Sequence, residues 1–269
     1  MADAAVGIDI GGTKVAVGVV AADGRLLRSI RLPTDGATVQ GIATAVAEVA
    51  GGIDVAGVGV GVCELVDPDG RIRSHESVAW TETELEAALG PVALEADVYA
   101  AALAEARFGA GRTFSSFAYV TVGTGISHCL VVGGAPYRGA HGCAQLIGSA
   151  PVRFVCPHCG RDARFVLEDV ASGAALARTG AEAEASAEVL GSFVALLVNV
   201  LDPEAVVVGG GLGSAGGAYW DALVRGVREH VWAEHVRDLP VVRAGLGADS
   251  GVIGAGLVGL RAAATPEVR

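Results

Sequence analysis

Basic residues are scarce in this chain: 19 Lys and Arg stand against 30 Asp and Glu, a formal net charge of −11. Binding a phosphate backbone needs concentrated cationic side chains, so no nucleic-acid partner is expected. Cysteine is sparse as well. Five residues in no regular framework exclude a disulfide scaffold and fit reduced thiols in a cytoplasmic setting. No uninterrupted apolar run reaches the roughly 18 residues that a membrane span requires. The opening "MADAAVGIDI" has no basic segment ahead of its apolar part. Neither a membrane segment nor a signal peptide is therefore expected.

What the chain has in quantity is aliphatic side chains and glycine: 52% hydrophobic residues and 40 glycines in 269 positions. That excludes a disordered chain and suits an α/β protein rich in tight turns. Alternating apolar residues mark a β-hairpin over Val6–Val20 and a strand over Leu26–Leu32. An alanine-rich helix is predicted over Val39–Ala50, a buried strand in "IDVAGVGVGV" whose glycines let another backbone approach closely, and a turn at Asp67–Gly70. Thr81 and Glu84 have capping-box spacing ahead of a short helix. "VALEAD" reads as a strand, followed by a helix that Asp97 can cap and that the glycines at 109 and 111 stop.

The first hairpin is oddly equipped for a mere turn, because "DIGGTK" sets a carboxylate, two glycines, a hydroxyl and an ammonium together. It is not a Walker loop: the GxxxxGK[ST] spacing is absent, and a strand rather than a helix follows, which also excludes a Rossmann fingerprint. "FAYVTVGTGISHCLVVGG", residues 117–134, repeats the design, and a third glycine cluster follows a third buried strand in "AVVVGGGLG", residues 205–213. Each glycine turn alone reads better as a structural turn. Together, Gly11, Gly12 and Thr13 with Gly123, Thr124 and Gly125, and then Gly209, Gly210 and Gly211, suggest related domains clasping a nucleotide's phosphates. The change of pattern places a boundary near Gly109–Thr113. It gives a small N-terminal α/β domain over 1–110 and a larger α/β domain over 111–251, with a last helix over 252–264 packing back on the first.

The motifs "DIGGTK" (9–14), "ADVYAAALAEARFGAG" (96–111), "VTVGTGI" (120–126), "YRGAHG" (137–142) and "VVVGGGL" (206–212), in this order, resemble the ROK family of bacterial sugar kinases and sugar-responsive repressors. The closing "GLGADSGVIGAG" is similar to that family's C-terminal signature. The resemblance spans essentially the whole chain. It implies a two-domain, actin-like (ribonuclease-H-like) α/β fold, with ATP between the domains and a carbohydrate deeper in the cleft. It also implies that Asp97 is the catalytic base and touches the sugar, and that Asp9 helps to hold Mg²⁺ through water, as suits a hard cation. On the residues alone Asp97 reads as a helix cap, and the two roles are compatible. Lys14 reads either as a phosphate contact or as a solvated lysine at a hairpin tip. A homodimer is expected. A DNA-binding module is not, because the first strand begins by Val6 and the chain is acidic.

Several family positions are altered. Ala96 stands where an Asn precedes the base, and "QLIGS" brings Leu146 and Ser149 where the family carries a sugar-contacting Glu and His. Cys63-Glu64 replaces a Pro-Gly in the first substrate loop, and Glu168 in "VLED" retains a sugar contact or, equally, opens a helix. His75, His128 and His141 lie in stretches expected to face the cleft, with Glu64, His75, His141 and Glu168 as candidate substrate contacts. The family's structural zinc ligands are half gone. Cys156 and Cys159 could still nucleate a site, completed by His141 or His158, but the resemblance does not imply an occupied one. The expected activity is ATP-dependent phosphorylation of the 6-hydroxyl, or its equivalent, of a sugar or sugar-like substrate. Plain glucose is not the expected acceptor; Glu64 and the histidines favour an aminosugar or an aminocyclitol. The alternative is a non-catalytic sugar-binding or sensing relative.

Overall fold

The computed structural model describes residues 2–264. The chain opens with an antiparallel meander, β1 (Ala4–Ile10), β2 (Lys14–Ala21) and β3 (Leu26–Pro33). Then follow α1 (Val39–Ala50), β4 (Val58–Val62), α2 (Glu82–Leu89), β5 (Val92–Ala96) and α3 (Asp97–Arg107). The sheet order is β3-β2-β1-β4-β5, with β4 parallel to β1 and β5 parallel to β4. Two boundaries differ from the sequence pattern. Residues 53–57 stay outside β4, and the Gly57 carbonyl accepts from Val6 N instead. Asp97 is the first residue inside α3 rather than its cap, which is Ala96. The capping box on Thr81 and Glu84 forms as the spacing predicts.

The second half repeats this plan. β6 (Ser116–Val122), β7 (Ile126–Val132) and β8 (Ala135–Tyr137) form another antiparallel meander. A separate hairpin, β9 (Val152–Val155) and β10 (Asp162–Phe165), leads into α4 (Glu168–Ala171), α5 (Gly173–Thr179) and α6 (Ala183–Leu201). β11 (Ala205–Gly209), α7 (Ala218–His230), β12 (Val241–Arg243) and α8 (Ser250–Ala264) complete the chain. The order β12-β11-β6-β7-β8 mirrors the first sheet, with β11 parallel to β6 and β12 parallel to β11. The doubled hairpin is thus part of a doubled sheet, and the fold is the two-domain actin-like one.

α8 returns to the first sheet through a row of glycines. Gly18, Gly7 and Gly59 stand side by side on β2, β1 and β4. A Cβ on Gly7 would collide with the Val252 carbonyl, and one on Gly59 with the Ala255 carbonyl. Helix backbone therefore lies directly on strand backbone. α6 is apolar and long enough to cross a membrane by length and composition. Here it lays Ala187, Leu190, Val194 and Val198 into the core and crosses α7 where Gly191 and Gly226 allow close approach. One apolar core runs from Ile8, Val17 and Val60 of the first sheet to Phe117, Tyr119 and Val207 of the second.

Candidate active site

The carboxyl ends of parallel strands are where open α/β sheets build their sites. Register puts Asp9 on β1 beside Gly61 on β4, and Val62 beside Ala96 on β5, while Cys63 N donates to the Ile10 carbonyl. Asp9, Cys63 and Asp97 therefore share one sheet edge. Gly61 leaves room for this convergence, its missing Cβ lying 3.5 Å from Asp97 Cα. The first turn of α8 closes the floor, since a Cβ on Gly251 would meet the Asp9 carboxylate.

Two half-buried carboxylates at one edge cannot both ionise freely. Burial, the Asp9 charge and, more weakly, the Glu64 charge push Asp97 up to about 7, against a lowering hydrogen bond of 2.6 Å from Val98 N. Burial raises Asp9 to about 6, moderated by Lys14 and Arg31. Arg31, on β3, is ion-paired to Asp249 ahead of α8. Nothing in its regular strand pattern distinguished it. Burial, then the charges of Asp97 and Glu64, push the Cys63 thiol up to about 12, so it faces the edge as a neutral S–H.

The two Gly-Thr turns meet over this edge. Thr124 Oγ1 lies 3.3 Å from Thr13 Oγ1, and the space a Cβ would take on Gly12 abuts the Thr124 methyl at 3.5 Å. Their carbonyls are engaged elsewhere. Gly11 O accepts from Thr34 Oγ1 (2.7 Å), Thr13 O from Thr34 N (3.0 Å), Gly123 O from Gly173 N (2.7 Å) and Thr124 O from Ala174 N (3.4 Å). The N–H groups of Gly12, Thr13, Thr124 and Gly125 have no protein acceptor among the described residues. Free donors with occupied carbonyls form a cradle for phosphate oxygens, and the residues fit a nucleotide. Asp9 fits a magnesium ion, because such sites use one or two carboxylates plus phosphates and water.

The other expected site residues divide. Glu168 stands at the second turn, accepting from Ile126 N at 2.6 Å and from Ser149 Oγ at 2.8 Å, and it also opens α4. Gly211 has open space where a side chain would project, whereas a Cβ on Gly209 would strike the Tyr119 hydroxyl. Gly210, with φ of 81°, packs on Val122 backbone, so Gly209 and Gly210 serve packing and the turn. Lys14 is exposed at the start of β2. Glu64 departs most from expectation: its buried carboxylate accepts from Ser74 Oγ (2.5 Å), Glu76 N (3.0 Å), Ser77 N (2.6 Å) and Val78 N (2.8 Å). It fastens the 74–78 loop and has no lone pair to spare for an amine. His75 and His141 are exposed, and His128 is half-buried with Nδ1 unpaired. Ala96 is buried and Leu146 exposed. At the tip of the β9–β10 hairpin, N–H groups of Cys159 and His158 and the Cys159 thiol lower the Cys156 thiol. No group of three or more His, Cys, Asp or Glu able to hold a metal occurs among the described residues, so the residues do not fit a fully protein-ligated zinc.

The chain is 30% identical to a glucokinase of Streptomyces coelicolor, over 93% of this chain and 95% of that protein. It is 28% identical to the N-acetylgalactosamine kinase AgaK of a Shewanella species, over 94% and 96%. A ROK family glucokinase from Streptomyces griseus, solved with glucose and AMPPNP, superposes with a TM-score of 0.84 at 28% identity, covering 96% of this chain and 99% of that one. A family model described as the ROK family matches residues 5–185 and 179–261, and the chain belongs to that family.

Proposed function

We propose that this chain is an ATP-dependent carbohydrate kinase. The observation that carries the reading is the junction of Asp97 and Asp9 at one sheet edge beneath two turns whose N–H groups are free to receive an anion. Its curated relatives are named as sugar kinases. When bound, Mg·ATP supplies the phosphoryl group and the cation that spreads its charge. The protein does the rest. The turns and their threonine hydroxyls orient the phosphate chain, and Asp97 takes the proton of the attacking hydroxyl. A carboxylate titrating at about 7 is well matched to that task near neutral pH.

The acceptor is proposed to be a neutral sugar derivative or cyclitol carrying an exocyclic 6-hydroxyl or its equivalent. Ala96 and Leu146 offer no polar group, which disfavours plain glucose, and Glu64 has no capacity for a free amine. An N-acylated aminosugar satisfies both conditions. ADP release measured over hexoses, N-acetylhexosamines, free aminohexoses and cyclitols tests the reading, with Asp97→Asn as control. Turnover of an N-acetylhexosamine or cyclitol above glucose is expected. Glucose far above the others overturns the acceptor, and binding of a sugar without any turnover favours the non-catalytic alternative.

We further propose a homodimer through the face where α6 exposes Leu196 (53%) and Val200 (71%) beside Trp232 (86%). Trp232 N is held by Asn199 Oδ1 at 2.9 Å. Exposed apolar patches of this kind mark association surfaces. Sedimentation should show a dimer that Trp232→Glu dissociates. A cytoplasmic setting is proposed too, supported by five free cysteines.

A further inference from the structure

Two chain segments link the sheets: residues 108–115 carry α3 into β6, and residues 244–249 carry β12 back to α8. Both converge on one fully buried carboxylate, that of Glu105 near the end of α3. Its Oε2 accepts from Ala110 N (2.8 Å) in the first link and from Gly245 N (2.8 Å) in the second. Its Oε1 accepts from Leu246 N (2.9 Å) and from Ser250 Oγ (2.8 Å), the residue that opens α8. A carboxylate has about four lone-pair sites, and all four are used. The links also touch each other, since a Cβ on Gly245 would lie 2.9 Å from Ala110 N. Gly109 is a glycine for the same reason, its Cβ position being filled by the Glu105 carboxylate.

This knot is built into the site from two sides. Glu105 lies eight residues along α3 from Asp97, a rigid lever of about 12 Å at 1.5 Å per residue. Ser250, which it anchors, precedes Gly251, whose backbone abuts the Asp9 carboxylate. Whatever sets the angle between the two sheets at the links also sets where Thr124 and its neighbours stand over Asp97. We propose that Glu105 is a positioning residue for phosphoryl transfer: by holding both links on one carboxylate, it fixes the alignment of the second sheet's phosphate turn against Asp9 and Asp97. The inference rests on the kinase reading given above.

The test uses three variants of the full chain. Glu105→Gln keeps the shape but turns an NH₂ toward backbone donors. Ser250→Ala removes one of the four bonds and leaves the charge, so it tests the knot even where Glu105→Gln fails to fold. Gly245→Ala pushes the links apart while leaving the Glu105 side chain itself unaltered. A misplacement of about 1 Å at a reacting group costs on the order of 100-fold in rate. The expected result is kcat lowered about 10- to 100-fold in Gly245→Ala and in folded Glu105→Gln, and less in Ser250→Ala. KM for sugar and calorimetric Kd for Mg·ATP should stay within about threefold, as expected when alignment rather than binding is lost. Hydrogen exchange, read without any sugar, should quicken at 110 and 245–246 and also at Gly123, Ile126 and Gly173, whose bonded amides hold the distant phosphate turn. A lower Tm with kcat and exchange at Gly123, Ile126 and Gly173 all unchanged overturns the proposal and leaves Glu105 a local clamp. The exchange readout does not depend on turnover, so it decides this point even for a chain that phosphorylates no sugar.

Discussion

Asp97 and Asp9 are coupled by proximity, and that coupling has a sign in both rate and stability. Asp97 acts as a base only when ionised, so kcat/KM should rise with pH through about 7. Asp97→Asn should lose roughly 10²- to 10⁴-fold in turnover, the usual general-base contribution. For stability, both folded-state values lie above the ordinary aspartate value of 3.8, so these two groups bind more protons in the folded than in the unfolded chain between about 4 and 7. The contribution of these two groups to the stability of the unliganded protein therefore falls as pH rises across that window. Asp97→Asn removes one of the two charges and should flatten the fall, gaining on the order of 1–2 kcal/mol at pH 8 once solvent screening in the cleft is allowed for. Thermal melts of both proteins at pH 5 and pH 8 check this; parallel slopes would refute the coupling. Asp97 was legible because a family motif surrounds it. The consumption of Glu64 was not. Its donors, Ser74 and the amides of Glu76, Ser77 and Val78, come from an aperiodic loop whose path no local pattern encodes.

Among the elements, α1 was legible as an alanine-rich stretch, with Thr38 capping it and Gly51 following its end at Ala50, and the capping box marked the start of α2. β4 was read too long because Ile53 and Val55 continue an apolar run whose pairing partners have already ended. Glycine in "VGVGV" was legible as close approach, but not what approaches, because α8 lies about 200 residues away in sequence. The contact makes a sharp prediction. Gly59→Ala would drive a methyl into the Ala255 carbonyl, with helix backbone rather than a flexible side chain in the way. Overpacking against backbone costs typically 1–3 kcal/mol and sometimes more. Denaturant midpoints should fall accordingly, while Gly70→Ala, at an open turn with φ of 77°, should cost only local strain.

At the scale of the whole molecule, the two sheets share a core that runs through Val60 and Tyr119 alike, and α3 and α8 pack against each other between them. Unfolding one sheet would strip apolar surface from the other, so the chain should melt in one transition rather than two. A ligand that bridges the turns should then move the whole transition. At a concentration of about 100 Kd a ligand adds about 2.7 kcal/mol to stability. For a chain of this size, at roughly 2–4 °C per kcal/mol, that is a rise of about 5–10 °C. The shift should be greater with Mg·ATP than with ATP alone, because the cation would offset the burial that raises Asp9 to about 6 despite Lys14 and Arg31. It should shrink in Gly12→Val, where the added methyls enter the space between the two Gly-Thr turns, against Thr124, without straining the backbone. Scanning calorimetry of the wild type and Gly12→Val, with and without Mg·ATP, reads all of this at once. Two separate transitions would break the shared-core argument, and an equal ligand shift in Gly12→Val would move the phosphates away from the turns.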